Sequence, residues 1–218
     1  MTHRRLEPDI IAGARLHDQF GSCASCVDAL EEARAQFLTT MPDAMLECLS
    51  AEGWRAYLVM TPFDLPDDAL EFGAEYSPAR CLRAPRIIYA TMHYMEADQS
   101  WTKARSMFGF AALPSHLAHE AGHAAMDDYP ESFLNAVADD VAALGGMAHV
   151  LPQHRSNLAD PTKHIREIWA DGLACIWKLP VFPAKLLYQM YPKSMAHLYK
   201  FSMTMVRARK GQDLDLRA

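Results

Sequence analysis

The chain has 218 residues, half of them hydrophobic and 22% charged, a composition that excludes disordered, collagen-like and disulfide-scaffold proteins. A net charge of −6 argues against a general binder of phosphate backbones, so nucleic acid is not an expected partner. The charge is uneven, with 10 Lys/Arg against 22 Asp/Glu up to residue 150 and 11 against 5 beyond it, which reads as solvated surface.

In chain order, helices are expected over Asp9 to Phe20 and Ser22 to Thr39, the second with Ser22 as N-cap and Val27, Leu30, Arg34, Phe37 and Leu38 near helical spacing. Pro42 restarts a third helix, to about Ala51. Trp54 to Met60 and Arg86 to Met92 are rich in β-branched and aromatic residues between Gly and Pro breakers, as strands are. The Pro- and Asp-rich stretch between them, Thr61 to Pro85, is expected to be loop with a turn or two of helix.

From Leu113 the pattern is helical again, with Pro114 in the first turn, where its missing N–H does no harm. Glu131 to Leu144 forms another helix and stops at Gly145-Gly146. Asp160-Pro161 reads as an N-cap and first helical residue of a segment that runs to about Lys178 and ends at Pro180 and Pro183. The last helix, Lys193 to about Arg209, has Met195, Leu198, Tyr199, Met203 and Val206 as its apolar stripe, expected to pack on the core. The fold class that follows is α+β and mainly helical, with a small sheet.

No run of 18 apolar residues occurs, so no membrane partner is expected. The start, Met1 to Glu7, lacks the apolar core of a secretory signal, and the expected location is the cytoplasm or one reached by signal-peptide-independent export. Five cysteines, an odd number, read as reduced thiols.

The segment that carries chemistry is His119-Glu120-Ala121-Gly122-His123. Histidines at i and i+4 project from one helical face, so both imidazoles can reach one metal ion. Glu120 then points near that ion without ligating it, where it can take a proton from water. A catalytic zinc takes a third protein ligand and leaves a fourth position open. Glu167, in Arg166-Glu167-Ile168-Trp169-Ala170-Asp171, is the expected third ligand, since two acids in so apolar a helix need partners. Asp171, one turn further on, is expected to accept the free ring N–H of a ligand histidine. Asp127, four residues after His123, is a further candidate as carboxylate partner or replacement ligand. Cys23-Ala24-Ser25-Cys26 reads as two packed thiols, the alternative being a structural zinc site completed by His17 or Cys48.

H-E-x-x-H followed by E-x-x-A-D, over His119 to Asp171, resembles the gluzincin branch of zinc metallopeptidases, of which thermolysin is the best-known member. The short span between the motifs is similar to compact bacterial zincins, including lethal-factor-like toxin peptidases and the peptidases that cleave phage-type repressors. The length suits one domain over residues 1–218, read as a helical part at 1–53, a zincin core at 54–178 and C-terminal helices at 179–218. The resemblance implies a catalytic helix beside a small sheet whose edge strand binds an extended peptide, a role that falls to Arg86 to Met92. Lethal-factor-like enzymes carry a Tyr seven residues before the Glu ligand, where this chain has Asp160. The oxyanion-stabilising role therefore passes to His164, three residues before Glu167, with His154, His149 and Tyr129 as further candidates.

The expected function is a zinc-dependent endopeptidase acting on a protein or peptide, with an effector or toxin and a resident cytoplasmic peptidase as the two biological settings. His119, His123 and Glu167 hold Zn²⁺, and Glu120 is the general base. A zinc-stabilised regulatory or binding protein would instead close the sphere with a fourth ligand from His149, His154 or His164. A third reading is an amidohydrolase for a non-peptide substrate, which a closed pocket rather than an open groove would favour.

Overall fold

A computed structural model describes residues 5–11, 23–70, 78–95, 100–103, 112–126, 128–145 and 161–209. The sheet contains β1 (Asp9–Ile11), β2 (Arg55–Val59), β3 (Ala79–Leu82) and β4 (Ile87–Thr91), in the order β1-β2-β4-β3. β1 and β2 are parallel, as are β2 and β4, while β3 runs antiparallel to β4 with Cys81 opposite Ile88. A separate two-stranded ribbon pairs β5 (His93–Met95) with β6 (Trp101–Lys103).

The central strands are apolar on both faces, as strands covered on both sides must be. Ala56, Leu58, Ile88 and Ala90 face the main core, whereas Tyr57, Val59, Ile87 and Tyr89 build a smaller cluster on the other face with Leu65 and Leu82. The helices are α1 (Cys23–Thr40), α2 (Asp43–Ala51), the short α3 (Asp67–Leu70), α4 (Ala112–Ala124), α5 (Glu131–Ala143), α6 (Pro161–Ile176), α7 (Ala184–Met190) and α8 (Pro192–Arg209). The molecule is α+β and mainly helical. Its main core draws residues from Leu6 in the N-terminal segment to Leu198 in α8.

Two devices at helix ends fix the layers. α6 stops in a Schellman turn: Lys178 sits in the left-handed region at φ 62°, and the N–H groups of Lys178 and Leu179 bond the carbonyls of Cys175 and Ala174. The buried Asp140 of α5 accepts bonds from the backbone N–H of Lys193 (3.2 Å) and Ser194 (2.8 Å) and from the Ser194 hydroxyl (2.7 Å). A carboxylate from a neighbouring helix thus caps the start of α8, satisfying donors that no intrahelical acceptor reaches.

Several expectations need correction. Asp9–Ile11 is a strand, not the start of a helix, because its β-branched pair Ile10-Ile11 extends the sheet beside β2; residues 12–22 lie outside the described ones. Arg86 to Met92 does not supply the edge strand: β4 lies between β2 and β3, and the edge beside α4 is β3. All five residues of β4 are buried, whereas Ala79, Arg80 and Cys81 of β3 are half-buried, the pattern of an inner and an outer strand. Tyr199 leaves the expected stripe of α8 and is 53% exposed, while Met195, Leu198 and Ser202 are buried.

Candidate metal centre

α4 packs against β3 and β4 on one side and α6 on the other. Its buried stripe, Leu117, Ala118, Ala121 and Ala124, consists mostly of alanines, which let neighbours approach closely. Gly122 extends this logic. A Cβ there would lie 2.9 Å from the Cα of Ala170 and 3.2 Å from its carbonyl oxygen, so only glycine permits this contact with the α6 backbone. The small residues inside the two motifs, Gly122 and Ala170, are the point of contact between the helices that carry them. Arg83, just after β3, donates to the carbonyls of His123 (3.0 Å) and Met126 (2.9 Å). A cation at the C-terminal end of α4 satisfies exposed carbonyls and suits the helix dipole.

This seam brings His119, His123 and Glu167 together, with their ligand atoms within 4.8 Å of one another. The two histidine Nε2 atoms are 3.1 Å apart. His119 Nε2 lies 3.4 Å from Glu167 Oε2, and His123 Nε2 lies 3.6 Å from Glu167 Oε1. Tetrahedral zinc with bonds of about 2.1 Å sets its ligand atoms about 3.4 Å apart. The observed separations bring all three side chains within reach of one ion, and a donor set of two imidazoles and one carboxylate is one that zinc accepts.

Behind the centre, His119 Nδ1 is 2.7 Å from Asp171 Oδ1, and Asp171 is only 2% exposed. A proton held at Nδ1 leaves the Nε2 lone pair of a neutral ring pointing at the ligand position. His123 is held differently: its Nδ1 is buried and has no hydrogen-bond partner among the described residues. Burial works against charge on His119, but Asp171 and Glu167 outweigh it and hold its pKa well above the ordinary imidazole value. Burial likewise pushes the Glu167 carboxyl up, yet hydrogen bonds from His119 and His123 win and hold it well below the usual carboxylate range. The pocket is built around positive charge, which a proton or a metal ion can supply.

The centre opens into a cleft of about 500 Å³ lined by Arg80 and Cys81 of β3, His119, Glu120 and His123 of α4, and Thr162, Lys163, Arg166 and Glu167 of α6. Glu120 is 9% exposed, and burial raises its pKa against the pull of both histidines. Its carboxylate thereby gains proton affinity, as a general base requires. Cys81 also lines the cleft, and burial and the nearby Glu120 push its thiol up to about 12.

Not every expected site residue arrives here. His164 does not line the cleft: it is 2% exposed and its ring centroid lies 6.3 Å from that of Tyr191. At 100° per residue, a position three before Glu167 is rotated about 60° from it, here toward the core side where Asp171 also lies. Tyr129 packs against Trp169, with its hydroxyl beside the Arg166 side chain rather than in the cleft lining. Asp127, His149, His154, Asp160 and His17 lie outside the described residues. Of the C-x-x-C pair, Cys26 packs on the core, and the Cys23 side chain lies outside the described set. Cys48 donates to Glu52. Sequence reasoning missed Gly122, Ala170 and Arg83; the glycine inside a helical motif was the available signal.

No protein-family model matches the chain, and no curated protein matches it either. No described helix is long and apolar enough to cross a membrane.

Proposed function

We propose that this protein is a zinc-dependent hydrolase of the gluzincin kind that cleaves peptide bonds. The observation that carries the reading is the triad His119, His123 and Glu167 with ligand atoms within 4.8 Å of one another, and Glu120 lining the same cleft. Zinc held there would supply Lewis acidity, polarising a carbonyl and lowering the pKa of water to about 7. Glu120, buried and raised in pKa, takes the proton of the attacking water and returns it to the leaving amine. Asp171 holds the tautomer and orientation of His119. β3 is an edge strand and lines the cleft through Arg80 and Cys81, and an extended peptide would lie along a strand backbone at that wall.

Among the described residues the cluster has three members, not four. Of the three histidines that could close the sphere, His164 lies away from the cleft, in keeping with an open coordination position, and His149 and His154 lie outside the described residues. Replacing Glu120 with Gln should leave about one zinc per chain while turnover of an unfolded protein substrate falls by roughly 10²–10⁴-fold. Cleavage by the zinc-loaded variant at the wild-type rate would overturn the assignment of Glu120.

A further inference from the structure

The two histidines of the centre are held by different means. His119 lies inside α4, and its ring is anchored at Nδ1 by Asp171. His123 is the last residue but one of that helix, and its buried Nδ1 has no hydrogen-bond partner among the described residues. The acceptor that commonly orients a metal-ligating imidazole from behind is thus found at one ring and not, among those residues, at the other. His123 also sits in the last turn, where carbonyls lack intrahelical donors and helices fray.

Arg83 pins this turn. Its Nη2 donates to the carbonyl of His123 itself, at 3.0 Å, and to that of Met126, at 2.9 Å, where the chain leaves the helix. Arg83 is half-buried and directly follows β3, the strand that lines the cleft through Arg80 and Cys81. One side chain therefore ties the end of the helix that carries His123 to a wall of the cleft. A charged donor on the carbonyl of His123 fixes the main chain from which its ring projects. On the neighbouring residue, the contact of Gly122 with the backbone of Ala170 leaves little room for the turn to shift toward α6.

We propose that Arg83 is a positioning residue of the metal centre: through the main chain, it holds His123 where its Nε2 meets those of His119 and the carboxylate of Glu167. The inference rests on the metal-binding reading of the triad and gives Arg83 the task for His123 that Asp171 has for His119. Without Arg83 the last turn of α4 opens locally, and the ion loses one of its three ligands for part of the time.

The test compares Arg83→Met, which keeps an apolar stem and removes the donors, with Arg83→Lys, whose single ammonium nitrogen can still donate to both carbonyls. Zinc affinity is read by chelator competition on the full chain, and the ligand rings are followed by nitrogen NMR of the zinc-loaded protein with labelled histidine. Arg83→Met should bind zinc about tenfold more weakly, the lower end of the loss usual for residues that support metal ligands. Arg83→Lys should recover most of that affinity. In Arg83→Met the ring signals of His123 should broaden or shift while those of His119 stay in place, and Asp171→Asn should do the reverse. Unchanged zinc affinity in Arg83→Met, equal disturbance of both rings, or no recovery with lysine would each overturn the proposal. If Arg83→Met does not fold, Arg83→Gln, which keeps an amide donor on a shorter stem, should show a smaller loss with the same contrast between the rings. Full affinity in that variant would equally overturn the proposal. A wild-type chain that binds no zinc would sink this inference together with the metal centre. Zinc weakened as described, in a protein that cleaves no peptide, would support it while the hydrolase reading falls.

Discussion

The two seams on either side of α6 make an instructive pair, because each has a glycine where the neighbouring helix comes close. Across the seam with α4, a Cβ on Gly122 would meet the backbone of Ala170 at 2.9 Å; across the seam with α8, a Cβ on Gly172 would meet Cδ1 of Leu198 at 2.2 Å. The second contact is shorter, yet it is the looser constraint. A leucine methyl can swing to another rotamer, whereas a helix backbone moves only with the whole helix. The seam that carries the candidate metal centre is therefore the one fixed by main chain. The seam behind it is filled by adaptable side chains.

The largest effect is expected at Gly122. Gly122→Ala should force α4 and α6 apart, carrying Glu167 away from His119 and His123. Overpacking costs about 1–3 kcal/mol, and the gain in helix propensity of up to about 1 kcal/mol offsets only part of it. Thermal unfolding should show the lost stability, and zinc competition should show a weakened site. Asp171→Asn comes next: zinc affinity should fall by about 10–100-fold as the anchor of His119 weakens, a loss that chelator titration would measure. Unchanged affinity would mean that His119 is oriented without Asp171. The smallest effect is expected at Gly172→Ala, where the propensity gain and the displaced Leu198 methyl nearly cancel, within about 1 kcal/mol. Zinc affinity should stay at the wild-type value. If Gly172→Ala weakens zinc as much as Gly122→Ala, the contrast between the seams is wrong.

How much of this was legible in the sequence follows from the range over which each signal acts. The triad was readable because i,i+4 spacing and an acid among the apolar residues of a helix are local facts with few solutions. β2 and β4 were readable as runs of β-branched and aromatic residues. The edge strand was not, since the four residues of β3 lie in a Pro- and Asp-rich stretch and owe their conformation to pairing with β4. Asp9–Ile11 is too short to declare a period, and its partner is more than 40 residues away in sequence. His164 shows the limit of spacing arguments: a rotation of about 60° separates a position that faces the cleft from one that faces the core. Gly122 was in view throughout, but its role depends on Ala170, which only the packing of α4 on α6 brings to it.

Elemental analysis of the purified chain beside Glu167→Ala, with folding matched by circular dichroism, decides whether His119, His123 and Glu167 hold a metal. About one zinc is expected per wild-type chain, lost or greatly weakened in the variant. Zinc retained in full by Glu167→Ala, or no metal bound by either protein, would contradict this expectation.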